Sequence, residues 1–169
     1  VVGSGEAGLS DGDYSQARFD GPQGMALSGN TLYVADTENH AIREVDLANQ
    51  NVKTIAGTGE QAMSFHDGGA GAETPLSSPW ALAVHDGGLY VAMAGFHQLW
   101  RLDLTTLDIR PHAGSGREGI VNGPHMSAEL AQPGGIATDG GRLYFADSET
   151  SAIRTAALDG AGRVETSVG

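Results

Sequence analysis

A short apolar motif occurs three times along this chain, at offsets of 57 and 54 residues. Proline and apolar positions around the motif repeat at the same spacing, and a period of this length is typical of stacked supersecondary units. The three copies of the motif are Leu32–Asp36, Leu89–Met93 and Leu143–Asp147. We therefore divide the chain into three units, residues 1–56, 57–113 and 114–169.

Each unit contains four short segments whose composition and flanking turns favour β-strands. In the first unit these are residues 24–27, 31–35, 41–47 and 52–55. The pattern predicts an all-β fold built of four-stranded antiparallel meanders, which is the sequence form of a propeller blade. Closed propellers have about four to eight blades, so three blades cannot close a ring. We expect half of a six-bladed β-propeller.

The charge of the chain excludes several classes of partner. It has 9 lysines and arginines against 21 aspartates and glutamates, a formal net charge of −12. Nucleic acid and anionic membrane surfaces both attract clustered basic residues, so neither is expected as a partner. No apolar run reaches the roughly 18 residues of a membrane-spanning helix. Because cysteine is absent, the chain has no disulfide or thiolate site. We expect a soluble protein, in the cytoplasm rather than exported.

Residues 22–26 and 32–43, with their echoes in the other two units, resemble NHL repeats. Asn39 and His40 match the first two letters of the family name, and Ala41 departs from the third. The resemblance covers the whole chain and implies a β-propeller.

The long connectors between units, together with residues 98–103 and 152–154, look most similar to one NHL subgroup. In that subgroup the propeller follows a thioredoxin-like domain, so the resemblance implies a redox domain outside this sequence. The chain opens without methionine, and it begins and ends at equivalent points of the repeat. We expect it to be part of a longer protein.

Oppositely charged pairs recur at the second hairpin of the first and third units, standing symmetrically about the hairpin turn. In the second unit both positions change together to apolar residues. The pairs are Asp36 with Arg43 and Asp147 with Arg154, and their second-unit equivalents are Met93 and Trp100. The joint change predicts a contact between directly opposite residues, worth about 0.2–1 kcal/mol for an exposed ion pair. We interpret these residues as structural rather than catalytic.

Two glycine-rich segments, residues 3–8 and 114–119, spell the dinucleotide-binding fingerprint. That fingerprint requires a strand, a tight turn and a helix inside a parallel βαβ unit. Here it leads into a polar loop at the end of a blade, so we expect no cofactor. The Asp-Gly and Asn-Gly pairs of the connectors are interpreted as tight turns rather than calcium ligands, because the further carboxylates of an EF-hand loop are missing.

The connectors are far longer than the usual loop of about 4–6 residues. In a propeller they emerge on the same face as the loops between the second and third strands of each blade. The candidate binding face there consists of Tyr14, His40, Trp80, Phe96 and His97. Two alternatives to this binding face stay open. In the first, the histidines bind solvent or turn atoms rather than a metal. In the second, the aromatic residues belong to the core rather than to a recognition patch.

The sequence shows no nucleophile with a neighbouring base. It therefore predicts a non-catalytic binding or scaffold module, with no catalytic, cofactor-binding or metal-ligating residue. The alternative is a metal-dependent lyase or lactonase-like hydrolase with an axial metal site in the closed propeller. The expected partners are a second half-propeller and an unidentified protein or small-molecule ligand. The half-propeller is either another copy of the chain, giving a homodimer, or the rest of the parent chain.

Overall fold

The computed structural model describes residues 1–169 as three antiparallel β-sheets with no α-helix, so the all-β prediction is confirmed. The first sheet contains β1 (Gly12–Asp13), β2 (Pro22–Ser28), β3 (Thr31–Asp36), β4 (Ala41–Asp46) and β5 (Asn51–Ala56). The second contains β6 (Gly69–Ala70), β7 (Pro79–His85), β8 (Gly88–Met93), β9 (Gln98–Asp103) and β10 (Asp108–Ala113). The third contains β11 (Gly123–Pro124), β12 (Pro133–Thr138), β13 (Arg142–Asp147), β14 (Ala152–Ala157) and β15 (Arg163–Val168). Short 3-10 helices span Gly71–Glu73, Ala94–Phe96, His125–Ser127 and Ser148–Thr150.

Each sheet has five strands rather than the predicted four. The additional strand has two residues, comes from the connector before the sheet, and pairs with the outermost strand. In the first sheet, Gly12 and Asp13 of β1 pair with Val52 and Asn51 of β5. A two-residue strand is too short to show the apolar alternation that marks a strand in a sequence. The sequence therefore reveals only the turn beside it.

The three sheets pack face to face, with their innermost strands side by side. Strand β7 packs between β2 and β12. The second sheet is covered on both faces, so all six residues of β8 are buried. The third sheet is covered on one face only, and the residues of β13 alternate between buried and accessible. This stacking of twisted antiparallel sheets is the arrangement of propeller blades.

Apolar side chains form a core at each junction between sheets. A cluster of 14 buried residues joins the first and second sheets, with Tyr33 and Trp100 among its members. A cluster of 10 buried residues joins the second and third sheets and includes Tyr90 and Phe145. A smaller cluster of four lies on the other face of the first sheet, against Phe19.

A β-bulge interrupts the outermost hairpin of every sheet. The register between β4 and β5 shifts so that Ile55 has no partner. The equivalent bulge residues of the other sheets are His112 and Ser167. A bulge changes the direction of a side chain, and Ile55 belongs to the core shared with the second sheet.

The sheets have two ends that carry different loops. On the connector side lie the loops β3–β4, β8–β9 and β13–β14 and the starts of the inner strands. On the turn side lie the turns β2–β3 and β4–β5 and their equivalents in the other sheets. None of the helices has the length and apolar character needed to cross a membrane.

Candidate functional site

A buried Asp–Arg pair, which we call the clasp, holds the connector against the first sheet. Both side chains are fully buried, and Arg43 Nη1 donates to Asp36 Oδ2 at 2.7 Å. Arg43 also donates to the carbonyl oxygens of Arg18 and Ser10, both at 2.7 Å, and to Asp11 Oδ1 at 2.9 Å. The guanidinium therefore fixes two separate parts of the connector to the sheet.

The third sheet has an equivalent clasp. Arg154 Nη1 donates to Asp147 Oδ2 at 2.7 Å and to the Glu129 carbonyl oxygen at 2.6 Å. Its Nη2 donates to the Val121 carbonyl oxygen at 3.0 Å and to Asn122 Oδ1 at 3.1 Å. Both pairs are buried, so the energy of an exposed ion pair does not apply to them. Removing one partner of a buried pair costs about 3–5 kcal/mol.

The clasp residues are not opposite each other in the sheet, contrary to the register expected from the sequence. Asp36 pairs with Ala41, and Arg43 pairs with Val34. The loop consists of the four residues from Thr37 to His40, so Asp36 and Arg43 are not at equal distances from it. The ion pair is therefore diagonal, and the long guanidinium side chain spans that distance.

An aromatic cluster takes the place of the clasp in the second sheet. Trp100 is fully buried and stacks on Phe96 with ring centroids 5.6 Å apart. From the connector, Phe65 and His66 approach Phe96 with centroid distances of 5.4 Å and 5.7 Å. Met93 lies in the same buried core as Trp100. The connector of this sheet is thus held by apolar packing.

His40 and His97 make equivalent hydrogen bonds between neighbouring sheets. Nδ1 of His40 accepts from the backbone N–H of Ser78 at 3.1 Å, and Nδ1 of His97 accepts from that of Gln132 at 3.2 Å. Burial lowers the pKa of His40, and the Glu38 carboxylate opposes this effect. Each histidine therefore binds a backbone N–H group of the next connector through the lone pair of its Nδ1 atom.

Two aromatic candidates lie in packed surroundings. Phe96 is 3% exposed and belongs to the junction core. Trp80 is half-buried on the inner strand β7. Its carbonyl oxygen would lie 2.5 Å from a Cβ on Gly24, and its ring 4.0 Å from a Cβ on Gly134. Trp80 is thus between the inner strands of the first and third sheets.

Tyr14 lies away from the other four candidates. Its backbone N–H donates to the Gln50 carbonyl oxygen at 3.2 Å, and its hydroxyl donates to the Asp46 carbonyl oxygen at 3.3 Å. Both partners are at the turn side of the first sheet. The length of β4, about 17 Å at roughly 3.3 Å per residue, separates them from the loop of His40. The structure therefore does not bring the five candidates together.

Phe65 of the aromatic cluster is accessible, and so is Met63, two residues before it in the connector. We call these two residues the Met–Phe patch. Met63 is 91% exposed and Phe65 is 58% exposed. Both line a cavity of ≈ 260 Å³ on the connector side, with Gln61 and Ser77 among its polar groups. Sequence comparison of the units singles out this blade, but it does not separate exposed aromatic residues from buried ones.

The acids and histidines of the chain are dispersed. No three His, Cys, Asp or Glu side chains are close enough to hold one metal ion. Sequence reasoning missed His66, whose Nε2 is 2.9 Å from the Pro75 carbonyl oxygen. It also missed a pair of histidines, His112 and His125, whose ring centroids are 4.9 Å apart.

Comparison with known proteins supports the NHL repeat family. Residues 19–44 match the family model of the NHL repeat. The chain is 41% identical over 169 residues to Protein SUPPRESSOR OF QUENCHING 1, chloroplastic, of Arabidopsis thaliana, covering 96% of this chain and 16% of that protein. It is 39% identical over 186 residues to NHL repeat-containing protein 2 of Homo sapiens, covering 95% of this chain and 26% of that protein. The chain therefore spans about a quarter or less of the length of these relatives.

Solved structures share the fold at low sequence identity. A structural genomics protein of unknown function from Bacteroides thetaiotaomicron matches with a TM-score of 0.67 and 22% identity, over 80% of this chain and 32% of that chain. A chain of a nidogen/laminin complex matches with a TM-score of 0.64 and 18% identity, over 90% of this chain and 51% of that chain. These likenesses concern the fold alone, and they support a β-propeller.

Proposed function

We propose that the chain supplies three consecutive blades of a six-bladed NHL-type propeller, which serves as a non-catalytic binding or scaffold module. The observation that carries this proposal is the exposure of the third sheet at positions buried in the other two. Tyr33 and Tyr90 are 7% and 4% exposed, whereas the equivalent Tyr144 is 38% exposed. The same contrast separates Ile153, 43% exposed, from its fully buried equivalents in the first two sheets.

The opposite end of the stack is open in a complementary way. Met25 and Leu27 of β2 are 63% and 59% exposed, whereas Leu82, the equivalent of Met25, is 5% exposed. Met25, Phe19 and five further residues line a mostly apolar cavity of ≈ 150 Å³ on this face. In the second sheet, the equivalent face packs against the first sheet. The first sheet thus presents a matching face that no sheet of this chain covers.

A second half-propeller covers both end faces in this proposal. It is either another copy in a head-to-tail, twofold arrangement or the remaining blades of the parent chain. Each interface should exceed the roughly 1,000 Å² expected of a biological contact. Light scattering on the 169-residue chain tests this: we expect twice the mass of 17.4 kDa. A stable, folded monomer at micromolar concentration would contradict the half-ring.

The Met–Phe patch is the proposed binding face, because it combines exposed apolar side chains with an adjacent cavity on the connector side. A photo-crosslinking residue at position 63 of the full-length protein should capture the bound partner. The same residue at Leu47, which is 41% exposed on the turn side, is the control. Equal capture of the partner from positions 63 and 47 would show that the partner does not bind at the Met–Phe patch.

The parent protein in this proposal also carries a thioredoxin-like domain. Residues 98–103 and 152–154 support it through their similarity to that subgroup, and the greater length of the relatives is consistent with it. The native protein should therefore have a mass well above 17.4 kDa and a reducible cysteine pair outside this chain. A native protein with only the mass of this chain, 17.4 kDa, and without cysteine would rule out the thioredoxin-like domain.

Elemental analysis separates the binding module from the enzyme alternative. The purified full-length protein should contain no stoichiometric metal in the propeller. Calcium or zinc bound at one ion per propeller would favour a metal-dependent lyase or hydrolase instead.

A further inference from the structure

The junction between the second and third sheets differs chemically from the junction between the first and second. At the first junction the bulge residue is Ile55, and Gly71 begins the short helix of the connector. At the second junction their equivalents are His112 and His125. The backbone bonds are the same: Gly57 N–H donates to the Gly71 carbonyl oxygen, and its equivalent donates to that of His125. Polar side chains thus replace apolar packing at one junction only.

The buried histidine pair has hydrogen-bonding capacity that the protein does not use. Nε2 of His112 lies 2.9 Å from the Ala157 carbonyl oxygen, so it carries the proton, and Nδ1 is an acceptor. His125 is 3% exposed, and neither of its ring nitrogens makes a hydrogen bond of ordinary geometry in the protein, although the His112 backbone is near enough to affect its pKa. Orphaned buried polar atoms are rare because each is costly.

A cavity of ≈ 530 Å³ opens beside the pair on the turn side, and His112 is in its wall. Tyr90 stands against His112 with ring centroids 5.1 Å apart. The carboxylates of Asp86 and Asp159 line the cavity, and Arg101 is the one lining residue with a fixed positive charge. The guanidinium also contacts a carboxylate, Asp103 Oδ2, at 3.3 Å. The volume is within the usual range for small-molecule sites, about 300–1,000 Å³.

We propose that this cavity binds a small organic cation with ammonium groups. Two carboxylates oppose one guanidinium in its lining, and the chain as a whole has a net charge of −12. In the cavity wall, Nδ1 of His112 accepts hydrogen bonds, as do the carboxylates. An anion would meet repulsion from Asp86 and Asp159, and fewer than three metal ligands come together. Ammonium groups match these acceptors in charge and in hydrogen-bond direction.

Burial favours the neutral form of both imidazoles. Desolvation lowers the pKa of His112, and the neighbouring His125 and Arg101 add to this effect, whereas the Ala157 carbonyl and Asp159 oppose it. Desolvation also lowers the pKa of His125, against Asp159 and the His112 backbone. Tyr90 packs edge-on against His112, and His85 and Asp86 line the same cavity. Acid therefore converts the His112 acceptor into a charged donor and adds a second positive charge at the neighbouring His125, and both charges repel an ammonium ligand.

The test compares three probes of the same length with different charge, namely 1,4-diaminobutane, 1,4-butanediol and succinate. Calorimetry on the full-length protein at neutral pH should detect the diamine and neither of the others. Binding should weaken as the pH falls toward about 5.5, because the imidazoles become charged. Preference for succinate, equal binding of the diol, or no diamine binding would overturn the proposal.

Variants that copy the first junction locate the site. His112→Ile and Asp159→Thr change two residues of the cavity wall to those found at the equivalent positions, so each is compatible with the repeat. Each should weaken diamine binding by about tenfold, the effect of losing one hydrogen bond to a charged group. Asp67→Thr removes an exposed carboxylate of the connector, outside the cavity, and should change binding by less than about twofold. Loss of binding in the control alone would place the cation elsewhere, and unfolding curves identify any variant that fails to fold.

Discussion

The clasp residues show how one buried side chain can organise a long connector. Arg43 makes four hydrogen bonds from its two terminal nitrogens and lies 4.9 Å from the centre of the Phe19 ring. Its Nε has no partner. Burying two charges costs several kcal/mol, and good geometry is needed to offset that cost. The second sheet reaches the same result with Met93 and Trp100, so the ionic solution is one of two available to this fold.

A single substitution in the clasp should be far more harmful than the matching double substitution. Arg43→Trp leaves Asp36 buried without its cation and should destabilise the chain by about 3–5 kcal/mol. Asp36→Met together with Arg43→Trp copies the second sheet and should be less destabilising than the sum of the two single changes, by more than about 1 kcal/mol. Urea unfolding of the four proteins at neutral pH measures this. Strict additivity would show that the two residues do not interact.

The buried histidines should make stability depend on pH in a narrow window. Burial lowers the pKa of His112 and of His125 below the usual 6.5. Above that value both the folded and unfolded forms are neutral, so the histidines have no effect. As the pH falls below it, the unfolded chain binds protons first, and folding becomes less favourable until the lowered pKa is reached.

His112→Gln should reduce this loss of stability, since an amide N–H can still donate to the Ala157 carbonyl oxygen but does not titrate. Urea midpoints of both proteins between about pH 7.5 and 5.5 measure the difference. The aspartates with a lowered pKa titrate below 3.8, outside this window. Parallel pH profiles for the two proteins would show that His112 titrates normally in the folded state.

At the level of strands and loops, the repeat predicts most of what is seen, and the departures have physical reasons. The four long strands of each sheet follow from apolar alternation and turn residues. The fifth strand does not follow from such a pattern, because Gly12–Asp13 is only two residues long and pairs through its backbone without an apolar alternation. The contact between the clasp residues was expected, but they were placed directly opposite each other because the turn was centred one residue too late, which changes the partner of every residue in the hairpin. Contacts between sheets, such as His40 with Ser78, join residues far apart in sequence, and no local pattern predicts them.

The close approach of the inner strands β2 and β7 should tolerate no added methyl group. A Cβ on Gly24 would lie 2.5 Å from both Ala81 Cα and the Trp80 carbonyl oxygen, which are backbone atoms. Gly24→Ala should therefore destabilise the chain by about 1–3 kcal/mol. Gly123→Ala is the control, because nothing lies within 4 Å of its Cβ position. Equal urea midpoints for the two variants would contradict the packing of these strands.

At the level of the whole molecule, the candidate site was only partly accessible to sequence reasoning. Comparing the three units singled out the second blade, where Trp100 replaces a clasp arginine. The same comparison did not distinguish the buried Phe96 from the exposed Phe65, because exposure depends on the path of the connector. The comparison also grouped Tyr14 with the other four candidates, although the length of β4 separates it from them in the structure. The same comparison of units could have identified the histidine pair, because His125 is at the position where the second unit has Gly71.

A charge placed on the open face of the third sheet should block assembly without unfolding the chain. Ile153 is 43% exposed, whereas its equivalents Ile42 and Leu99 are fully buried between sheets. In a pair of half-rings, Ile153→Glu would bury an unpaired carboxylate, so the dissociation constant should rise by more than about a hundredfold. Light scattering of the variant should then give the monomer mass of 17.4 kDa, with the circular dichroism of the parent chain. Leu47→Glu, on an exposed turn, should leave the dimer mass unchanged, and a dimer that survives Ile153→Glu would mean that the third sheet is not the contact face.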